Sequence, residues 1–235
     1  MKCKRPILLH GQYFNCGSCL ACRINYTSQW QLRLLYELDC WNGASFVTLT
    51  YDNEHLPKNG SLDKKELQNF VKRVRSEFTY RQKDSLWNRS ELFNVHNKPY
   101  IPKIRYYACG EYGKEENTFR PHYHLILFGL DYFKEEDMDI VRNCWDKCDP
   151  YLFDKSLGRK CALQPVNKDC IGYVTGYVQK KLKGQKAVEA YDNRGVSRPF
   201  NVSSQGLGLV SAIENKDILD KGYTYTHNGQ RLTIP

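Results

Sequence analysis

No apolar run in this chain comes near the roughly 20 residues that a membrane-spanning helix needs. The longest uninterrupted stretches, such as residues 7–9 and 125–128, are far shorter. The basic start MKCKRP is not followed by the apolar core of a signal peptide, so a cytoplasm is expected rather than export. Without an oxidising compartment, ten cysteines diluted over 235 residues read as reduced thiols and not as a disulfide framework. A second CxxC knuckle is missing, and so are the motifs that accompany iron–sulfur redox centres. No internal repeat is visible, which leaves a single folded unit as the default for this length.

What is present begins with material for a core: 41% of residues are apolar, enough for one large domain or a domain with an appendage. The formal net charge, 35 − 26 = +9, is unevenly spread. Residues 130–154 carry three Lys/Arg against eight Asp/Glu, whereas residues 155–200 carry ten against three. That asymmetry fits a local anionic partner such as a nucleic-acid backbone; on charge alone, a solvated lysine-rich surface fits as well. Cys16, Cys19 and Cys22 stand at C-x-x-C-x-x-C spacing, and Cys3 upstream offers a fourth thiolate for a tetrahedral structural Zn²⁺. Buried free thiols or an iron–sulfur cluster are the alternatives. The remaining cysteines (Cys40, Cys109, Cys144, Cys148, Cys161 and Cys170) fall mostly at apolar-patterned positions and read as small core residues.

Periodicity then sketches the elements. Residues 21–41 read as a helix, with Tyr26, Trp30, Arg33, Leu34 and Glu37 at helical spacing. A strand follows at 45–51 (SFVTLTY), ended by the polar turn DNEHLPKNG. Asp63 with Glu66 forms a variant of the capping box, and Leu67, Phe70, Val71, Val74 and Phe78 then mark one face of an amphipathic helix. Residues 81–102 are polar and irregular, an insertion. Strands return at 104–109 and 122–129, separated by the turn-rich CGEYGKEENTFR. A helix over 134–148 buries Met138, Val141, Trp145 and Cys148, a short strand lies near 161–166, and a last helix runs from 169 to 183, ended by Gly184. Beyond it the Gly-, Ser- and Asn-rich chain predicts irregular structure, then a terminal hairpin through 223–233 around Asn228-Gly229. In order this is β-α-β-β-α-β plus a helix, an α+β fold of the ferredoxin-like, split βαβ kind, with an antiparallel sheet and helices on one face. Three segments follow: a Cys-rich N-terminal appendage (1–42), a catalytic domain (43–184) and a basic, irregular extension (185–235) packed on that domain.

Two features carry chemistry. His122 and His124 flank Tyr123 in a strand, where side chains alternate faces, so both imidazoles project the same way and read as a metal clamp. Tyr173 and Tyr177, four apart in DCIGYVTGYVQKKL, share one face of a helix. A packed histidine pair and two aromatics on a helix face are the bland readings of each. Metal beside paired phenols suggests phosphoryl transfer.

In this order FVTLTY (46–51), RPHYHLILFG (120–129) and YVTGYVQKK (173–181) resemble motifs one, two and three of the HUH endonucleases, the rolling-circle initiators and relaxases. The likeness is closer to the initiators of single-stranded DNA microviruses, the gokushovirus-like bacteriophages. These share a CGxCxxCR start (16–23), TLTYDxxHLP (48–57), GEYG before RPHYH, and a tyrosine pair. The resemblance spans residues 16–209; such proteins usually continue into a further basic segment, so RLTIP ends either a short variant or a truncated chain.

The resemblance implies an HUH-type sheet and a metal-dependent nuclease of a bacterial host's cytoplasm. Mg²⁺ or Mn²⁺ would be held by His122, His124 and a third ligand, Glu111, with Glu115 and Glu116 as nearby competitors. It assigns Tyr173 and Tyr177 as nucleophiles, and Lys180 of Y-x-x-K as electrostatic helper and DNA contact. Arg120, Lys181, Lys183 and Lys186 are expected DNA contacts, and His55 is a further candidate. The expected reaction nicks and joins single-stranded or locally melted origin DNA through a 5′-phosphotyrosyl link, with host polymerase and helicase as possible partners and no membrane. Competing readings are a single-tyrosine transposase or relaxase relative, a non-catalytic zinc-containing nucleic-acid binder, and a metal hydrolase acting through bound water.

Overall fold

The computed structural model describes residues 2–86, 103–113, 119–180, 182, 184–214, 224–227 and 230–233. In chain order the elements are strands β1 (Ile7–Leu9) and β2 (Gln12–Phe14), helix α1 (Leu20–Asp39), β3 (Ala44–Leu49), α2 (Lys64–Leu86), β4 (Arg105–Tyr112) and β5 (Pro121–Phe128). Then come α3 (Glu135–Cys144), β6 (Leu163–Pro165), α4 (Lys168–Lys180), α5 (Gln185–Ala190), β7 (Phe200–Ser203), α6 (Leu209–Glu214), β8 (Thr224–His227) and β9 (Gln230–Thr233). They pack as two compact units. One gathers Met1–Cys40, Asn167–Lys183 and Gln205–Pro235; the other gathers Trp41–Val166 and Gly184–Ser204.

The second unit is built on a five-stranded, wholly antiparallel sheet in the order β6-β3-β5-β4-β7, a mixed α+β arrangement with β5 at its centre. One face of the sheet (Val47, Leu49, Ala108, Tyr123, Leu125, Leu127) forms a single core with Leu67, Phe70, Val71, Val74 and Phe78 of α2 and with Met138, Ile140 and Val141 of α3. The five α2 positions are those whose spacing marks a helical stripe. Burying each is worth about 1.5–3 kcal/mol, an upper figure because the unfolded chain already hides some apolar surface.

The start of α2 is fixed locally and from β5. The Asp63 Oδ1 accepts the backbone N–H groups of Lys65 (2.8 Å) and Glu66 (2.9 Å), an N-cap as expected. The reciprocal half of the capping box does not form. Glu66 instead accepts from Arg73 (3.0 Å), and the Asp63 N–H donates to the Tyr123 hydroxyl (2.8 Å). That hydroxyl donates back to the Asp63 carbonyl (3.0 Å) and lies 2.9 Å from the Tyr51 hydroxyl. Burial pushes the Tyr123 phenol up to about 12 and Tyr51 higher still, so both stay protonated donors. Tyr123→Phe should cost about 1–3 kcal/mol in urea unfolding, because the Asp63 amide loses its buried acceptor. An unchanged midpoint would show that water takes the hydroxyl's place.

Several boundaries differ from expectation. β4 continues through Tyr112 where a turn was read from Cys109 onward, because Glu111 and Tyr112 still pair with His122 and Pro121. Helix α2 extends to Leu86, and residues 87–102, the rest of the expected insertion, lie outside the described residues. α3 stops at Cys144 rather than 148. Trp145 turns extended (φ −131°, ψ 96°), so that its indole N–H donates to the Thr50 carbonyl (2.8 Å) and its ring packs on Tyr51, Phe70 and Tyr123. The stretch expected to be irregular after Gly184 holds α5, α6 and β7, the last of which completes the sheet edge beside β4. Gly129 ends β5 with φ +96°, where a Cβ would lie 2.7 Å from the Trp41 ring.

In the first unit α1 packs against α4 and α6. Gly208 permits the approach of α6: its N–H donates to the buried Glu37 carboxylate (2.8 Å), and a Cβ there would lie 2.5 Å from the Arg33 carbonyl oxygen. β1 and β2 form a hairpin that the sequence reading did not anticipate, whereas β8 and β9 pair as expected. The register of that second hairpin opposes His227 to Gln230 across residues 228 and 229.

Candidate metal centre

Antiparallel register brings the centre together. Glu111 of β4 stands directly opposite His122 of β5, and His124 stands opposite Thr48 of β3. Because alternate residues share a face, Glu111, His122, His124 and Thr48 all lie on the sheet face turned away from α2 and α3. His122 Nε2 lies 2.7 Å and His124 Nε2 3.0 Å from the same oxygen, Glu111 Oε1. The carboxylate is therefore a strand residue facing two imidazoles, not a solvent-facing loop acid.

The outer nitrogens show what these donors suit. His122 Nδ1 lies 3.2 Å from the Arg120 carbonyl, which can only accept, so Nδ1 carries hydrogen and a neutral His122 turns its Nε2 lone pair towards Glu111. Two lone-pair bearers at 2.7 Å need a positive charge between them: a proton or a metal ion. His124 Nδ1 is held by the Thr48 hydroxyl (3.1 Å) and its ring stacks on Phe46. Outward nitrogens anchored by hydrogen bonds while inner nitrogens converge is the pattern of metal-bound histidines. Ligand atoms at right angles around an ion, with bonds of about 2.1 Å, stand about 3 Å apart, which these separations match.

Electrostatics favour a cation as well. Burial raises the Glu111 carboxyl, but hydrogen bonds from His122 and His124 outweigh it and hold the group below the ordinary glutamate range. Burial lowers His124 below the ordinary imidazole range. At neutral pH the set therefore contains a carboxylate and an unprotonated imidazole, ligands that suit a divalent ion. Sequence reasoning named all three ligands but missed Thr48, whose place in TLTY gives it the metal-side face of β3, and misjudged Arg120. The Arg120 guanidinium donates to the Tyr51 (2.9 Å) and Asp52 (2.8 Å) carbonyls and to Asn53 Oδ1 (2.6 Å), tying the β3 exit to the start of β5. His55 is likewise engaged, its Nδ1 2.8 Å from the Asp52 carboxylate.

The cysteines form a second cluster, in the other unit. Ligand atoms of Cys3, Cys16, Cys19 and Cys22 all lie within 4.8 Å of one another. The Sγ separations are 3.9 Å for Cys3–Cys19, 3.9 Å for Cys16–Cys22 and 3.5 Å for Cys19–Cys22. A tetrahedron with Zn–S bonds of about 2.3 Å has S···S edges of about 3.8 Å, so four thiolates at these spacings fit Zn²⁺. The Ser18 hydroxyl and neighbouring backbone N–H groups bring the Cys16 thiol down to about 5, while burial pushes Cys22 up to about 12.

The tyrosines share a face of α4 as expected. Their rings stand edge to face with centroids 4.9 Å apart; Tyr173 is 45% exposed and Tyr177 only 9%. Lys180 closes α4, its side chain lying outside the described residues, as do Lys181 and Lys183; Lys186 is exposed on α5. No helix among the described residues is long and apolar enough to cross a membrane.

An acid and two imidazoles converging on the face of an antiparallel sheet define a divalent-metal centre. The family model described as a replication-associated protein of the ORF2 type matches residues 44–182, more than half of the chain and all three of these ligands, and the chain belongs to that family. Among its relatives are Replication-associated protein VP4 of Bdellovibrio phage phiMH2K and Replication-associated protein ORF2 of Spiroplasma virus 4. The first is 27% identical over 94% of this chain and 65% of its own length. The second is 27% identical over 88% of this chain and 59% of its own. Replication-associated protein ORF4 of Chlamydia phage 1 is 25% identical over 89% of this chain and 50% of its own. The chain thus spans between half and two thirds of these relatives. No solved structure matches it.

Proposed function

We propose that the chain is a site-specific single-stranded DNA endonuclease and strand-joining enzyme that starts and ends rolling-circle replication in a bacterial host's cytoplasm. The observation that carries this reading is the convergence of Glu111, His122 and His124 in a chain of the replication-associated family. The sheet order β6-β3-β5-β4, with α2 and α3 on one face, supports the HUH, split βαβ type within residues 43–184.

Bound at those three ligands, Mg²⁺ or Mn²⁺ supplies Lewis-acid polarisation of a phosphate. Every other role falls to the chain. A tyrosine of α4 attacks the scissile phosphorus: the phenolic O–P bond forms, the P–O3′ bond breaks, and the phenol's proton ends on the freed 3′-OH, which a host polymerase can extend. A free phenol ionises near 10, so Lys180 is assigned to stabilise the developing phenolate. The link conserves the phosphodiester's energy, so a later 3′-OH attacks it to close a circle without ATP, while the other tyrosine cuts the regenerated site. Lys181, Lys183, Lys186 and the N–H groups left free on Arg120 would contact DNA phosphates. Zn²⁺ at the four cysteines would be structural.

The unequal exposure of the tyrosines favours a second reading, a one-tyrosine nuclease in which the accessible Tyr173 attacks and Tyr177 packs behind it. Tyr173→Phe and Tyr177→Phe, tested separately on an origin oligonucleotide, separate the two. The two-tyrosine cycle predicts that each variant still nicks but fails to complete joining. Full cleavage and joining by both single variants would exclude it, and loss of all cleavage in one variant alone would establish the second reading.

A further inference from the structure

The β1–β2 hairpin lies outside the catalytic reading, and its surface is unusual. Every residue from Lys4 to Asn15 is exposed. Leu8 is 57%, Tyr13 75% and Phe14 48% accessible. The register sets Leu8 beside Tyr13 on one face of the ribbon and Ile7 beside Phe14 on the other, so neither face is polar. A ribbon with three residues per strand does not hold itself together in water. Two devices hold this one. His10 (φ 50°) and Gly11 (φ 75°) make a tight turn with both central residues left-handed, which suits the twist of paired strands. At the base, Cys3 precedes β1, Cys16 follows β2, and Cys19 and Cys22 open α1, so an ion held by the four thiolates would clamp both ends of the ribbon to the helix.

Charge identifies what such a ribbon takes. Lys2, Lys4, Arg5, Arg23 and Arg33 precede the first acidic residue of the chain, Glu37. A second copy of this chain would bring the same positive charge and repel, and a mixed-charge protein surface would leave the basic residues without partners. Single-stranded nucleic acid offers what both features need: flat bases for exposed rings and phosphates for cations. We infer that the cysteine-anchored hairpin is a single-stranded DNA grip, in which unpaired bases stack on Tyr13 and Phe14 while Lys4 and Arg5 meet the backbone. The inference rests on the DNA reading of the chain but not on its nicking chemistry.

The test uses the full chain, zinc-loaded, with a fluorescein-labelled oligothymidine of about 20 nucleotides, longer than a typical single-fold footprint. Anisotropy is measured between about 50 and 200 mM salt, where charge contacts register. Tyr13→Ala/Phe14→Ala should weaken binding about tenfold to a hundredfold with the salt slope unchanged. Lys4→Ala/Arg5→Ala should flatten the slope by about 1.4, the value for two single-strand phosphate contacts. Zinc stoichiometry, equal to that of the unaltered chain in both variants, reports an intact module; if the aromatic variant loses zinc, the exposed-charge variant decides alone. Affinity and slope within error of the unaltered chain would overturn the inference. So would an aromatic variant that changes only the oligomeric state in light scattering, which would make the hairpin a self-association face. Loss of binding in a chain that forms no covalent adduct would sink the nuclease reading alone, whereas unchanged binding with normal adduct formation would sink the hairpin alone.

Discussion

His122→Ala is expected to lower origin nicking by about a thousandfold while leaving the thermal midpoint nearly unchanged. The activity loss follows from the ion: Lewis-acid stabilisation of a phosphoryl-transfer transition state is worth several kcal/mol, and each 1.4 kcal/mol or so is a factor of ten. The small stability change follows from position. His122 keeps a fifth of its side chain exposed near the end of β5, and its outward nitrogen bonds only a backbone carbonyl. His124→Ala is a poorer test, because that ring is almost fully buried, stacks on Phe46 and holds Thr48, so its loss mixes a cavity with a missing ligand. Titration calorimetry with Mn²⁺ gives the direct readout: a single site in the unaltered chain and no measurable heat in His122→Ala. Equal Mn²⁺ affinity in both would remove His122 from the ligand set.

Cys19→Ser should abolish stoichiometric zinc and open the N-terminal module to protease. Cys19 has the nearest sulfur neighbours of the cluster, 3.5 Å to Cys22 and 3.9 Å to Cys3, and it is also the residue from which α1 departs. Structural zinc contributes apparent binding energies of about 10–16 kcal/mol, more than the whole stability of many small domains. Without it nothing described holds a six-residue ribbon with apolar residues on both faces. Trypsin should then cut at Lys4, Arg5 and Arg23 within minutes, where the zinc-loaded chain resists at Arg23. Zinc retained at one equivalent in Cys19→Ser would contradict a four-thiolate site.

The parts legible in the sequence are those where one physical signal dominates. The α2 stripe from Leu67 to Phe78 and the Asp63 cap are local, and the structure keeps both. The HxH pair needs only strand alternation, and its acidic partner follows once β4 and β5 are neighbours. What escaped depended on partners distant in sequence. Phe200–Ser203 is half-buried at every position, an edge strand paired on one side, so it shows no alternation to read. Glu111 and Tyr112 look like the start of a Gly-rich turn until cross-strand pairing with His122 and Pro121 holds them extended. The end of α3 is set by the pull of the Trp145 indole towards Thr50, a contact 95 residues away in sequence. The capping box failed for the same reason, since the Tyr123 hydroxyl competes for the amide that Glu66 would have taken. The β1–β2 hairpin left a usable signal, two apolar triplets around His10-Gly11, that its short strands obscured.

The central claim is that a metal held by Glu111, His122 and His124 serves a tyrosine nucleophile of α4. It is tested most directly by incubating the purified chain with labelled single-stranded oligonucleotides from its own replicon, with Mn²⁺ or with EDTA, and resolving the products on a denaturing gel. A protein–DNA adduct that forms with Mn²⁺, fails with EDTA and is absent from the Tyr173→Phe/Tyr177→Phe double variant is the predicted result. Cleavage without any covalent adduct, or an adduct that survives in the double variant, would contradict it.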